Sequence, residues 1–166
     1  FNALARSARR GSIQPIVARH EAGAAFMADG YTRESGKLGV CTATTGPGAT
    51  NLLTGVACAY QNEIPMLVIT GQSALPSFGR AAFQESSCTG IDTVSMFKSC
   101  TNYSTLVSHP EQFEHKFVTA VMNAFCPRPG PAHLSVPLDV ARAPWSAVRP
   151  KYDLNDLLRR PSSVDT

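Results

Sequence analysis

The chain has 166 residues, 43% hydrophobic and 16% charged, with 12 glycines and 12 prolines. That length suits one domain able to bury about two-thirds of the surface its unfolded chain exposes. Ordinary apolar content at low charge excludes a disordered chain, and the apolar stretches are cut by Gly, Pro or polar residues well short of the ~20 residues of a membrane span.

Lys plus Arg at 15 against Asp plus Glu at 12 leaves a mild +3. The basic residues cluster only as Arg6, Arg9 and Arg10 at one end and Arg149, Lys151, Arg159 and Arg160 at the other. The dense, aromatic-interleaved stripe of a nucleic-acid surface is absent. Five cysteines form no C-x-x-C pair and four histidines are dispersed, so no metal site is expected, and the thiols read as reduced and buried in a cytoplasmic protein. The chain opens on Phe1 without a signal-peptide pattern and ends in polar Pro161–Thr166, which predicts a piece of a longer protein.

In chain order, Pro15–Arg19 reads as a short strand and Glu21–Glu34 as a helix ended by Gly36. Leu38–Thr44 is a β-branched run that predicts a buried strand. Ala49–Gln61 carries Ala49, Leu52, Leu53, Val56, Ala57 and Tyr60 on one helical stripe. Met66–Thr70 is a second buried strand, Gly71–Asp92 is loop-like, and Ser104–Val107 is a further short strand. Ser108 and Glu111 have capping-box spacing, ahead of a helix with Phe113, Phe117, Ala120, Val121 and Ala124 on one face. Pro127–Pro131 breaks that helix, Ala132–Pro137 is the last strand, and after Asp139 the pattern dissolves. Residues 1–143 are therefore taken as the domain and 144–166 as linker or tail.

Near-continuous apolar strands separated by helices predict an α/β fold: a three-layer domain whose mostly parallel sheet is covered by helices on both faces. Ligands of such sheets bind beyond the carboxyl ends of the strands, which directs attention to His20-Glu21, Gly46-Pro47-Gly48 and Gly71-Gln72. Glu21 heads a stripe of Ala24, Ala25 and Ala28; burial raises such a carboxyl's pKa while the helix N-terminus lowers it. It is either a proton-handling group or an acid complementing the helix dipole. Gly46-Pro47-Gly48 is either an anion cradle or a tight turn that brings backbone close to a neighbour; it is neither a Walker loop nor G-x-G-x-x-G. Asn51, Gly55, Cys58 and Asn62 form a narrow face for a second helix, read first as a subunit contact and second as an intrachain one. Phe83-Gln84-Glu85 in the long loop either contacts a ligand or anchors the loop through Phe83. Lys98 is a substrate-anion ligand or a solvated lysine.

The blocks H-E-x-G-A-A (from His20), A-D-G-Y (from Ala28), T-T-G-P-G-A-T-N (from Thr44), I-P…I-T-G-Q (from Ile64) and A-F-Q-E (from Ala82) occur in this order. Together, over about Ile16–Val140, they resemble the N-terminal pyrimidine-binding domain of thiamine-diphosphate enzymes, nearest the acetolactate synthase-like branch. The resemblance implies that Glu21 hydrogen-bonds a ring nitrogen of the cofactor's aminopyrimidine and favours the imino form that deprotonates the thiazolium. A 2-keto acid such as pyruvate is then decarboxylated, and the product is protonated or joined to a second carbonyl. It further implies that Gly46, Pro47, Gly48 and Asn51 lie on the cofactor side, and Phe83, Gln84 and Lys98 on the substrate side. The 49–61 helix is implied to build a homodimer or higher homo-oligomer.

Departures accompany the resemblance. Ala81 stands where the synthase loop has an acid, Arg80 adds a charge, and Ser99 follows Lys98 where a His or aromatic is usual. Related decarboxylases and acyl transferases therefore stay open, as does a non-catalytic subunit docking a separate diphosphate-binding chain. The diphosphate and its Mg²⁺ are implied to rest on another domain, whether the longer enzyme carries FAD is open, and a strand and helix expected before Phe1 are missing. The chain alone is expected to be inactive.

Overall fold

In a computed structural model, residues 11, 13–88 and 90–144 are described; the basic clusters at both ends and the 145–166 tail lie outside them. The elements are α1 (Glu21–Ser35), β1 (Gly39–Ala43), α2 (Pro47–Gln61), β2 (Met66–Gln72), α3 (Thr93–Lys98), β3 (Tyr103–Leu106), α4 (Phe113–Ala124), β4 (Pro131–Pro137) and α5 (Leu138–Arg142). Two 3₁₀ turns, Leu75–Ser77 and Pro110–Gln112, punctuate the loops. The sheet is four-stranded in the order β1-β2-β4-β3, and every pairing is parallel. The expected three-layer α/β architecture is what the chain adopts.

Alternation along the strands assigns the two faces. Cys41, Ala43, Met66 and Val68 pack with Ala25 and Ala28 of α1, Ala49, Leu52, Val56 and Ala59 of α2, and Phe97 of α3. Leu67, Ala132, Leu134 and Val136 pack on the other face with Ala120 and Ala124 of α4 and Val140 of α5. Full burial of a side chain such as Leu52 or Leu134 stabilises by about 1.5–3 kcal/mol each. Local chemistry sets the helix ends. Gly36 closes α1 at φ +69°, donating its N–H to the Thr32 carbonyl, a left-handed cap that glycine adopts without a Cβ penalty. Thr32 Oγ1 accepts from the Gly39 N–H at 2.8 Å and lies 3.0 Å from the Pro65 carbonyl, tying the end of α1 to the entries of β1 and β2.

Several expectations need correction. Pro15–Arg19 is extended but is no strand: Ile16 and Val17 are 76% and 92% exposed, and among the described residues no neighbour offers it a ladder. A β-branched run becomes a strand only where an edge accepts its backbone. α2 starts at Pro47, two residues before the expected Ala49, because proline at a first helical position loses no bond. β2 runs through Gly71-Gln72 rather than stopping at Thr70. The sequence reading does not include the 93–98 helix; Asp92 caps it by accepting from the Ser95 N–H at 3.1 Å, and the Ser95 hydroxyl, donating to its other oxygen at 2.6 Å, is the main cause that holds its carboxyl below the usual range. The capping box at Ser108 and Glu111 does not form. His109 Nδ1 instead accepts from the Glu111 N–H and Ser108 Oγ donates to Gln112 Oε1, because Pro110 opens a 3₁₀ turn that displaces the α-helical register. Of the five cysteines, Cys41 and Cys100 are buried as expected, while Cys88 is exposed.

Candidate functional site

The carboxyl ends of β1 and β2 collect most of the residues singled out in the sequence. α1 runs antiparallel to β1, so its first residue, Glu21, comes to the carboxyl edge beside the first turn of α2. His20 caps α1, its Nδ1 accepting from the Ala22 N–H at 3.1 Å. Asn51 Nδ2 donates to Glu21 Oε2 at 3.0 Å. That bond first, and the Glu21 backbone amide next, hold the carboxyl below its usual range; partial burial opposes the shift and nearby His20 adds to it. In the contest between desolvation and hydrogen bonding, hydrogen bonding prevails.

The Gly46-Pro47-Gly48 turn sits against this carboxylate. Gly46 has φ +63°, and a Cβ there would come within 2.9 Å of Gln84 Cβ. Both the conformation and the close approach require glycine. At Gly48 a Cβ would lie 2.7 Å from Thr44 Cγ2 and 3.5 Å from Glu21 Oε1. The turn therefore brings backbone close to its neighbours, one of the two alternatives the sequence left, with Thr44 on one side of Gly48 and the Glu21 carboxylate on the other.

A polar clamp that the sequence did not reveal joins this turn to the long loop. Thr45 Oγ1 donates to the Gln84 carbonyl at 2.9 Å and lies 2.8 Å from Ser86 Oγ. Gln72 Nε2 donates to the Ser86 carbonyl at 2.7 Å, and its Oε1 accepts from the Ser86 N–H at 3.3 Å and the Ser73 N–H at 2.9 Å. Phe83 is 86% exposed, so it does not anchor the loop; Thr45, Gln72 and Ser86 do. The G-Q ending of β2 is the available signal: an amide closing a strand whose first four residues are all apolar. Gly79, Ala81, Ala82, Gln84, Glu85 and Gly90 line an open cavity of about 550 Å³ beside the clamp.

Two expected site features fall elsewhere. Lys98 is exposed in the last turn of α3, which leads to the amino end of β3 rather than to the edge where Glu21 and Gly48 meet. The small face of α2 is filled from within the chain at Gly55, where a Cβ would meet Ala25 Cβ at 2.6 Å and the Ala22 carbonyl at 3.2 Å. The subunit reading of that face is corrected there: α1 is the docked helix, since two backbones close only where side chains are absent. Asn62, at its end, caps α2 by donating to the Cys58 carbonyl.

A fit to an aminopyrimidine ring follows from the donor set. Glu21 presents a hydrogen-bonding carboxylate held by Asn51, and the adjacent turn carries glycine where a Cβ would come within 3.5 Å of its Oε1. A diphosphate-bound metal finds no such match: among the described residues no group of three His, Cys, Asp or Glu could hold an ion. No helix among them is long and apolar enough to cross a membrane.

Comparison with known proteins gives the class. A family model described as thiamine pyrophosphate enzyme, N-terminal TPP binding domain, matches residues 1–96, and the chain belongs to that family. Among curated relatives, it is 44% identical over 143 residues to an acetolactate synthase of Arthrospira platensis, covering 86% of this chain and 24% of the relative. It is 42% identical over 140 residues to the acetolactate synthase isozyme 2 large subunit of Escherichia coli strain K12, covering 81% and 25%. A probable acetolactate synthase large subunit of Methanocaldococcus jannaschii is 43% identical over 125 residues, covering 75% and 20%. The chain thus spans about a quarter of the length of these relatives.

Proposed function

We propose that this chain is the aminopyrimidine-binding half of a thiamine-diphosphate-dependent enzyme of acetolactate synthase type, one that decarboxylates a 2-keto acid such as pyruvate and joins the product to a second carbonyl. The observation that carries the reading is the Glu21 carboxylate, held by Asn51 beside the Gly46–Gly48 turn. The bound cofactor supplies the electron sink for loss of carbon dioxide. Glu21 would hydrogen-bond the ring nitrogen and hold the proton balance there, the Gly46-Pro47-Gly48 turn would lie on the cofactor side next to it, and Phe83 and Gln84 would face the substrate side from a loop fixed by Gln72. Lys98 has a weaker claim, given its distance along the fold from that edge. The diphosphate and Mg²⁺ rest on residues outside this chain, as does any FAD.

A homo-oligomer finds support in α1, where Phe26, Met27 and Tyr31 are 46%, 45% and 51% exposed, apolar surface that a second copy would cover. A second reading, decarboxylation without carboligation, is favoured by Ala81, which sits at φ +56° in the loop where the resemblance implies an acid.

Isothermal titration of thiamine diphosphate plus Mg²⁺ tests the reading, with this chain and with the full-length protein. Binding to the longer protein alone, abolished together with turnover by Glu21→Gln or leaving turnover lost with binding retained, is the expected result. Tight binding to this chain alone, or full turnover in the Glu21→Gln protein, overturns it.

A further inference from the structure

A carboxylate on the first residue of a helix has several side-chain rotamers within reach, and a hydrogen bond to a ring nitrogen needs one of them. Asn51 selects it. Its amide donates to Oε2 at 3.0 Å, while Oε1 lies on the Gly48 side, where a Cβ would come within 3.5 Å. Asn51 and Gly55 are one turn apart and share a face of α2. Gly55 lets α1 approach to contact, and Asn51, a turn earlier, spans the remaining gap to the head of that helix. The donor is a neutral amide, so it fixes geometry without neutralising the charge; an ammonium or guanidinium in its place would pair the carboxylate outright.

Resting on the function proposed above, we infer that Asn51 is a positioning residue for Glu21 and not a cofactor ligand: it occupies Oε2 so that Oε1 is the oxygen offered to the aminopyrimidine ring. A residue implied by resemblance to lie on the cofactor side is thereby assigned to act through Glu21.

The test is a carboxyl-detected NMR titration of Glu21 in the 166-residue chain, compared with Asn51→Leu and with Asn51→Asp, which keeps the side-chain size should the leucine variant unfold. The Glu21 midpoint moves up in Asn51→Leu, because the donor is lost, and further up in Asn51→Asp, because a second negative charge replaces it. In the full-length protein the acid limb of the kcat/KM profile moves in the same direction, with KM for the 2-keto acid unchanged. An unmoved Glu21 midpoint in a folded Asn51→Asp chain overturns the inference, as does direct loss of cofactor affinity with the Glu21 titration intact. Turnover that survives Glu21→Gln removes the underlying function reading, whatever the Asn51 variants do, so the two failures are distinguishable.

Discussion

The Gln72 side chain pairs with the backbone of Ser86 in the manner of a strand: its amide N–H donates to the Ser86 carbonyl at 2.7 Å and its oxygen accepts from the Ser86 N–H at 3.3 Å. Ser86 is buried, and its N–H depends on that amide, while its carbonyl also accepts from the Thr93 N–H at 3.4 Å. Gln72→Leu is expected to destabilise the chain by about 1–3 kcal/mol, the penalty for unpaired buried groups. Hydrogen exchange supplies the check: the Ser86 amide loses protection while β1 and β2 keep theirs.

Glycines of α1 and α2 respond in opposite directions. Gly55→Ala drives a methyl into Ala25 and is expected to cost about 1–3 kcal/mol through overpacking. Gly30, inside α1, has nothing within 4 Å of its Cβ position, so Gly30→Ala is expected to stabilise by about 0.5–1 kcal/mol. Urea midpoints of the two variants read both signs directly.

His133 contributes to the acid sensitivity of the fold. It is buried in β4, stacked on Phe97 at 4.1 Å, with Nε2 2.9 Å from Thr70 Oγ1 and Nδ1 2.8 Å from Ser104 Oγ. The Ser104 hydroxyl donates to the Val94 carbonyl, so it accepts from Nδ1–H, and Thr70 donates to Nε2: the ring is neutral with its proton on Nδ1. Burial pushes its pKa down to about 3. The unfolded chain takes up that proton near pH 6.5 and the folded chain only near 3, so stability is full above the higher value. It falls by about 1.4 kcal/mol per pH unit as pH drops between them. His133→Asn flattens this slope in a series of urea unfolding curves from pH 7 to pH 4.5.

Thiol reactivity separates the cysteines. Burial pushes Cys41 up to about 12 and raises Cys100, whereas Cys88 is exposed. An aromatic disulfide reagent at pH 8 modifies Cys88 in the folded chain, and Cys41 and Cys100 only after denaturant is added.

Glu21 stands out as a candidate through the ordered motif blocks, since its spacing to Ala24, Ala25 and Ala28 also suits an acid that merely complements the helix dipole, and the apolar runs located every strand of the described sheet. Pro15–Arg19 misled because composition records β preference but not whether an edge is free to pair. The Gln72–Ser86 clamp joins residues 14 positions apart across a loop whose path no local pattern encodes. Gly55 was recognised as a docking point, yet a small-residue stripe says nothing about which helix arrives, and α1 of the same chain does. His133 and Ser135 alternate with Ala132, Leu134 and Val136, a period of two that marks one face of β4 as polar; within an apolar run it was easily read as uniform.

Because β4 lies between β2 and β3, the strand that joins those two follows both of them in the chain. At a ribosome adding about 5–20 residues per second, the stretch from Gln72 to Pro137 takes roughly 3–13 s to emerge. Throughout that interval the inner edge of β2 lacks its β4 partner, and Leu67 and Ile69 lack the cover of α4 until residue 124 has emerged. Nascent chains stalled in this window are where a holdase chaperone or a wrong strand finds an open edge, and truncation before Pro131 leaves it permanently exposed.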